Sequence, residues 1–80
     1  MNIIYSKKML KQMEKFDKSL RNKIISSING LLEIPPAGDI KSLQGRSGYR
    51  LRIGKYRVIY RIDGDNILID EIGSRGDIYK

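Results

Sequence analysis

Apolar residues change their period along the chain. The opening run NIIY, at 2–5, is short and mostly β-branched, as a strand is. Ser6 then offers a hydroxyl suited to a helix N-cap, and Met9, Leu10, Met13, Phe16 and Leu20 recur on one side of a 3.6-residue wheel. Lys8, Lys11, Lys15 and Lys18 fall on the opposite side. Asp17 either caps a second helix or lies where two helices join almost continuously; Leu20, Ile24, Ile25, Ile28, Leu31 and Leu32 carry the stripe onward. Pro35-Pro36 stops it, because proline donates no backbone hydrogen bond and restricts the residue before it. Residues 35–48, PPAGDIKSLQGRSG, are dense in turn formers and read as a loop.

After Gly48 the period shortens to two. Strands are predicted over Tyr49–Ile53, Tyr56–Ile62 and Ile67–Ile72. Gly54-Lys55 suits a two-residue hairpin turn, and Asp63-Gly64-Asp65-Asn66 makes a second turn. A two-residue turn sets Ile53 against Tyr56, Arg52 against Arg57 and Leu51 against Val58. Tyr49, Leu51, Ile53, Tyr56, Val58, Tyr60 and Ile62 then share an inner face, while Arg50, Arg52, Arg57 and Arg61 point outward around Ile59. The expected fold is α+β: a short strand, an αα-hairpin and a three-stranded antiparallel sheet (β-α-α-β-β-β), with the helices on one sheet face and residues 1–80 forming one domain.

Composition narrows the chemistry. With no cysteine and no histidine, thiolate and imidazole metal ligands are absent and no metal or cofactor is expected. Any catalysis falls to Arg, Lys, Tyr or carboxylates. The net charge of +7 directs attention to polyanions, nucleic acid first and an acidic protein second. No apolar run reaches the roughly 20 residues of a membrane span, and the first ten residues lack the order of a secretory signal, so a cytoplasmic protein without a membrane partner is expected.

YRLRIGKYRVIYRI, at 49–62, holds four arginines and Lys55 with no acid. Directly opposed like charges, as at Arg52 and Arg57, destabilise a sheet by up to about 1 kcal/mol. One reading is a solvated face whose long side chains splay apart, with Asp70 of the last strand neutralising one arginine. The other is a cradle for phosphate, which planar guanidinium groups bind bidentately; four arginines on one face without interleaved acids favour it. Such a face also suits RNA cleavage by 2′-hydroxyl attack on the adjacent phosphate, with arginines stabilising the charge that develops. Arginine is a poor base, so proton transfer needs another group. Tyr79 is a candidate, since nearby cations lower a phenol's pKa; a tyrosine one residue from the C-terminus is otherwise a frayed end or packing plug.

The segment LQGRSGYRLRIGKYRVIYRIDGDNILIDEIGSRGDIYK, at 43–80, resembles the RelE family of toxins, ribosome-dependent mRNA endonucleases of toxin–antitoxin pairs. The likeness lies in a Leu-x-Gly, a "YR-R-G-YR-IY" run and a terminal "G-R---Y"; the preceding strand and basic helical hairpin fit in order and length. The glycine-plus-YRVIY pattern is shared across the wider RelE/ParE superfamily, and terminal Arg75 and Tyr79 favour its nuclease branch.

The resemblance implies that Arg57 and Arg75 hold and stabilise the scissile phosphate, and that Tyr79 orients the nucleotide and helps with the 2′-hydroxyl. Arg50 and Arg52 match two basic positions that are lysines in well-known members, one of them a candidate proton acceptor; arginines at both leave the general base open. It further implies a RelB-like antitoxin partner, action on mRNA in the ribosomal A site, and RNA contacts from Arg61 and Lys55. Lys8, Lys11, Lys15 and Lys18 are either ribosomal RNA contacts or the wet face of a helix. Two other functions fit the charge: a ParE-like toxin that inhibits DNA gyrase by binding, and a plain nucleic-acid-binding module. The second lacks stacking aromatics among the arginines.

Overall fold

Ser6 and Asp17 each start a helix. In the computed structural model, which describes residues 1–74, Ser6 Oγ accepts a hydrogen bond from the Met9 amide at 2.9 Å, and Asp17 Oδ1 accepts one from the Leu20 amide at 2.8 Å. Each satisfies an amide that the first helical turn leaves without a partner, an interaction worth about 1 kcal/mol. Helix α1 spans Lys7–Met13 and α2 spans Lys18–Asn29; a 3-10 turn at Gly30–Leu32 closes the second before Pro35. The two helices are separate, with Phe16 in the break between them.

Five strands follow the order β1-β5-β4-β3-β2 among the described residues: β1 Asn2–Tyr5, β2 Asp39–Ser42, β3 Tyr49–Ile53, β4 Tyr56–Asp63 and β5 Asn66–Ser74. The expected sheet of three strands is therefore two short. Strand β1 joins it by pairing parallel with β5, and β2 lies within the stretch expected to be loop, pairing antiparallel with β3. DIKS carries one apolar position, Ile40, opposite Leu51, so its strand character comes from the partner rather than from its own pattern. Gly48 lets the chain turn from β2 into β3: its φ is +119°, and a Cβ there would stand 2.9 Å from the Tyr60 carbonyl oxygen.

The hairpin register is as expected, with Ile53 opposite Tyr56, Arg52 opposite Arg57 and Leu51 opposite Val58. One face packs under the helices: Met9, Met13, Ile24, Ile28 and Leu31 meet Leu51, Ile53, Val58, Tyr60, Ile67, Ile69 and Ile72. Fully burying an aliphatic side chain of this size contributes about 1.5–3 kcal/mol, so this cluster is what holds the sheet and hairpin together. Phe16 sits edge-on to Tyr56, ring centres 5.2 Å apart. Four apolar residues expected on buried faces are exposed: Leu10, on the flank of a helix only seven residues long, Leu32, at the end of the 3-10 turn, and Tyr49 and Ile62, toward the open end of the β3–β4 hairpin.

Strand β5 carries a bulge. Ile59 pairs with Glu71 but Tyr60 with Ile69, which leaves Asp70 without an opposite residue. The extra residue keeps Ile67, Ile69 and Ile72 all in the core. Helix α1 and its cap satisfy the backbone groups beside it: Ser6 Oγ donates to the Asp70 carbonyl at 2.7 Å, and the Ile72 amide donates to Gln12 Oε1 at 2.9 Å.

Candidate functional site

The sheet face away from the helices carries the arginines, arranged in rows across the strands. The first row runs Asp39, Arg52, Arg57, Gly73; the second runs Lys41, Arg50, Ile59, Glu71. Arg61 lies further along β4, opposite Leu68. The placement follows from β alternation: once Leu51 and Val58 enter the core, residues 50, 52, 57, 59 and 61 must point the other way.

The four arginines are not equivalent. Arg50 is 9% exposed, and its Nη1 stands 3.4 Å from both Oδ1 and the carbonyl oxygen of Asp39. It ties the edge strand β2 to β3, an attachment invisible while residues 35–48 read as loop. Ile59 beside it is buried although it lies outside the main core, giving this face an apolar floor. Arg52 is exposed and, among the described residues, makes a marginal hydrogen bond, Nε to the Gly54 carbonyl at 3.5 Å. Arg57, half-buried, stands directly opposite it.

Arg61 is already matched. Its Nε and Nη2 donate to Asp70 Oδ2 and Oδ1 at 2.7 and 2.9 Å, a bidentate pair that the bulge makes possible. Those hydrogen bonds first, and the carboxylate's charge second, raise the pKa of Arg61 above its ordinary value. This is the pairing expected of Asp70. Beyond it, Arg46, Tyr49, Arg61 and Asp63 help line an open groove of about 650 Å³.

Lys55, in the hairpin turn, sits 5.5 Å from the centre of the Tyr56 ring. Lys8 reaches Glu71 at 2.9 Å, whereas Lys11, Lys15 and Lys18 are exposed in the helical layer, across the sheet from the arginines. Lys11, Lys15 and Lys18 thus form a basic surface separate from the arginine face. Arg75 and Tyr79 lie outside the described residues. Among those described, no three His, Cys, Asp or Glu side chains group as a metal site, and no helix is long and apolar enough to cross a membrane. Asp39 was missed from sequence; its only signal was a lone carboxylate beside Ile40 in a turn-rich stretch.

The family model described as the ParE toxin of the type II toxin–antitoxin system parDE matches residues 3–79, nearly the whole chain. The chain belongs to the ParE toxin family. Solved structures of the wider RelE/ParE superfamily share its fold. The RelB–RelE antitoxin–toxin complex from Methanococcus jannaschii contains a chain 25% identical, with a TM-score of 0.76 over 95% of this toxin and 94% of that chain. The RelE–RelB complex from Pyrococcus horikoshii contains one 26% identical, with a TM-score of 0.77 over 95% and 96%. A YoeB/ParE toxin from Agrobacterium tumefaciens is 19% identical with a TM-score of 0.78 over 94% and 99%, a likeness of fold alone. No curated protein sequence matches this ParE-family toxin.

Proposed function

We propose that this type II toxin is an endoribonuclease that stops translation by cutting mRNA in the ribosomal A site. The observation that carries the reading is the pairing of Arg52 directly opposite Arg57 on the sheet face away from the described helices. A phosphate bridging them accepts hydrogen bonds from both and offsets their repulsion, and the same groups stabilise added charge as the 2′-hydroxyl attacks. Arg75 and Tyr79 extend the site in this reading, one to the phosphate and the other to the nucleotide. Alignment of the RNA for in-line attack is left to the ribosome, a contribution that can be very large, and free RNA is a poor substrate.

An acidic antitoxin is the natural inhibitor of such a face. The archaeal relatives at 25 and 26% identity were solved as complexes with RelB, and the charge of +7 here favours a partner of opposite sign. A cytoplasmic location follows from a ribosomal target.

The test is primer extension on an mRNA incubated with pure toxin, alone and on programmed ribosomes with an empty A site, beside Arg57→Ala. Cuts at A-site codons that need ribosomes and vanish in the folded variant support the reading; cuts that persist in the variant remove Arg57 from the site. The family match to ParE favours a second reading, inhibition of DNA gyrase by binding. Relaxed plasmid DNA and a DNA-damage response after induction, with mRNA intact, would establish it instead.

A further inference from the structure

Tyr79 apart, which lies outside the described residues, the nuclease reading lacks a base. Guanidinium groups do not deprotonate in proteins, so none of the arginines can take the proton from a 2′-hydroxyl. Four carboxylates reach the arginine face among the described residues, and three are committed elsewhere. Asp70 is held bidentately by Arg61. Asp63 lies at the far end of β4, six residues from Arg57 and therefore about 20 Å along the strand. Glu71 pairs with Lys8 at 2.9 Å, its side chain only 18% exposed.

Asp39 differs in each respect. Its side chain is 53% exposed, its one ion pair among the described residues is a long 3.4 Å contact from Oδ1 to Arg50, and it heads the row that contains Arg52 and Arg57. Adjacent strands are about 4.8 Å apart, so Asp39 stands one spacing from Arg52 and two from Arg57. The row has a direction. At the β2 end is a carboxylate, in the middle two guanidinium groups, and at the β5 end Gly73, which contributes no side chain. In-line displacement needs the same order: a base beside the nucleophile, positive charge around phosphorus, and room for the leaving group opposite.

We propose that Asp39 is the general base of this toxin, a proposal that rests on the nuclease reading. With the scissile phosphate on Arg52 and Arg57, the ribose on its 5′ side lies toward β2. The Asp39 carboxylate accepts the 2′-hydroxyl proton as O2′ bonds to phosphorus. The P–O5′ bond breaks with its electron pair going to O5′, which takes a proton from water; the hydroxide so formed is neutralised by the proton Asp39 releases. The products are a 2′,3′-cyclic phosphate and a 5′-hydroxyl. Arg50 keeps Asp39 at the edge of the row and is a positioning residue.

Single-turnover cleavage of mRNA on programmed ribosomes tests this, with wild type, Asp39→Asn and Asp39→Glu compared across pH and each variant's melting checked. Removing a general base typically lowers a rate by 10²- to 10⁴-fold, so a fall of about 10²-fold or more is expected for Asp39→Asn. Its rate should then rise in proportion to hydroxide where wild type levels off, while ribosome binding stays unchanged. Asp39→Glu keeps the charge and should recover part of the rate with the wild-type profile shape. A folded Asp39→Asn that cleaves at the wild-type rate overturns the proposal and leaves the nuclease reading standing. A loss with unchanged profile shape also overturns it, since a purely structural residue would behave so. If Asp39→Asn fails to fold, Asp39→Ser, which also lacks a carboxylate, decides: a folded Asp39→Ser that cleaves at the wild-type rate overturns it. No cleavage by wild type sinks the nuclease reading and this proposal together.

Discussion

Arg52 and Arg57 face each other across the β3–β4 pair, one exposed and one half-buried, on the sheet face opposite the helices. Like charges at directly opposed positions destabilise a sheet by up to about 1 kcal/mol. A dianion between them reverses the sign of that interaction. Phosphate or sulfate should therefore raise the Tm of wild type more than chloride does at equal ionic strength. Arg52→Ala should lose most of that anion-specific gain while melting no lower than wild type in chloride. Thermal melts of the two proteins in matched salts measure this; an undiminished phosphate effect in the variant would place the anion elsewhere.

Asp70 withholds Arg61 from any polyanion. The bidentate pair is open to solvent on the Arg61 side, so its contribution to stability is small. Its effect on charge is larger. Asp70→Asn should bind a single-stranded RNA oligonucleotide more tightly, and the slope of log K against log salt should steepen by about 0.7, the value for one added phosphate contact on a single strand. Fluorescence anisotropy across a salt series reads both quantities. An unchanged slope would show that Arg61 does not reach the bound strand even when released.

Gln12 holds the bulge that lets Asp70 face Arg61. Its Oε1 accepts the Ile72 amide, and Ile72 itself is in the core. Gln12→Ala leaves that amide without its partner, which costs about 1–3 kcal/mol where water cannot replace it. The expected outcome is a Tm lower by several degrees and faster hydrogen exchange at Ile72, with Gln12→Glu, which keeps an acceptor, closer to wild type. Exchange at Val58, in the neighbouring strand, serves as the internal comparison.

The sequence made the hairpin legible because its turn is short: Gly54-Lys55 leaves one register, and that register put the arginines on one face. The capping residues Ser6 and Asp17 were legible for a similar reason, as their side chains act within three residues. What stayed hidden depends on distant partners. DIKS becomes β2 only because β3 is there to pair with it, and Arg50 becomes buried only because β2 supplies Asp39. Parallel pairing of β1 with β5 joins residues more than sixty positions apart. The bulge leaves a trace, since apolar Ile67 and Ile69 are followed by Ile72 rather than by an apolar residue at 71, a break in the period of two.

Tyr60 sets an alkaline limit on the fold. It is buried, stacked on Tyr49 with ring centres 5.4 Å apart, and its pKa is pushed up to about 12, by burial first and by the neighbouring Tyr49 second. An unfolded tyrosine ionises near pH 10, so between pH 10 and 12 the unfolded chain has released a proton that the folded chain keeps. Folded protein then binds more protons than unfolded protein, and stability falls as pH rises through this window. It is fully present below pH 10. Burial raises the pKa of Tyr5 as well, which adds to the same slope. Two pKa units correspond to roughly 2–3 kcal/mol, a large part of the stability of so small a domain. Denaturant unfolding at pH 9 and near pH 11 should show a marked loss in wild type and a smaller loss in Tyr60→Phe, which has no proton to release. Equal losses in the two proteins would assign the alkaline limit to other groups.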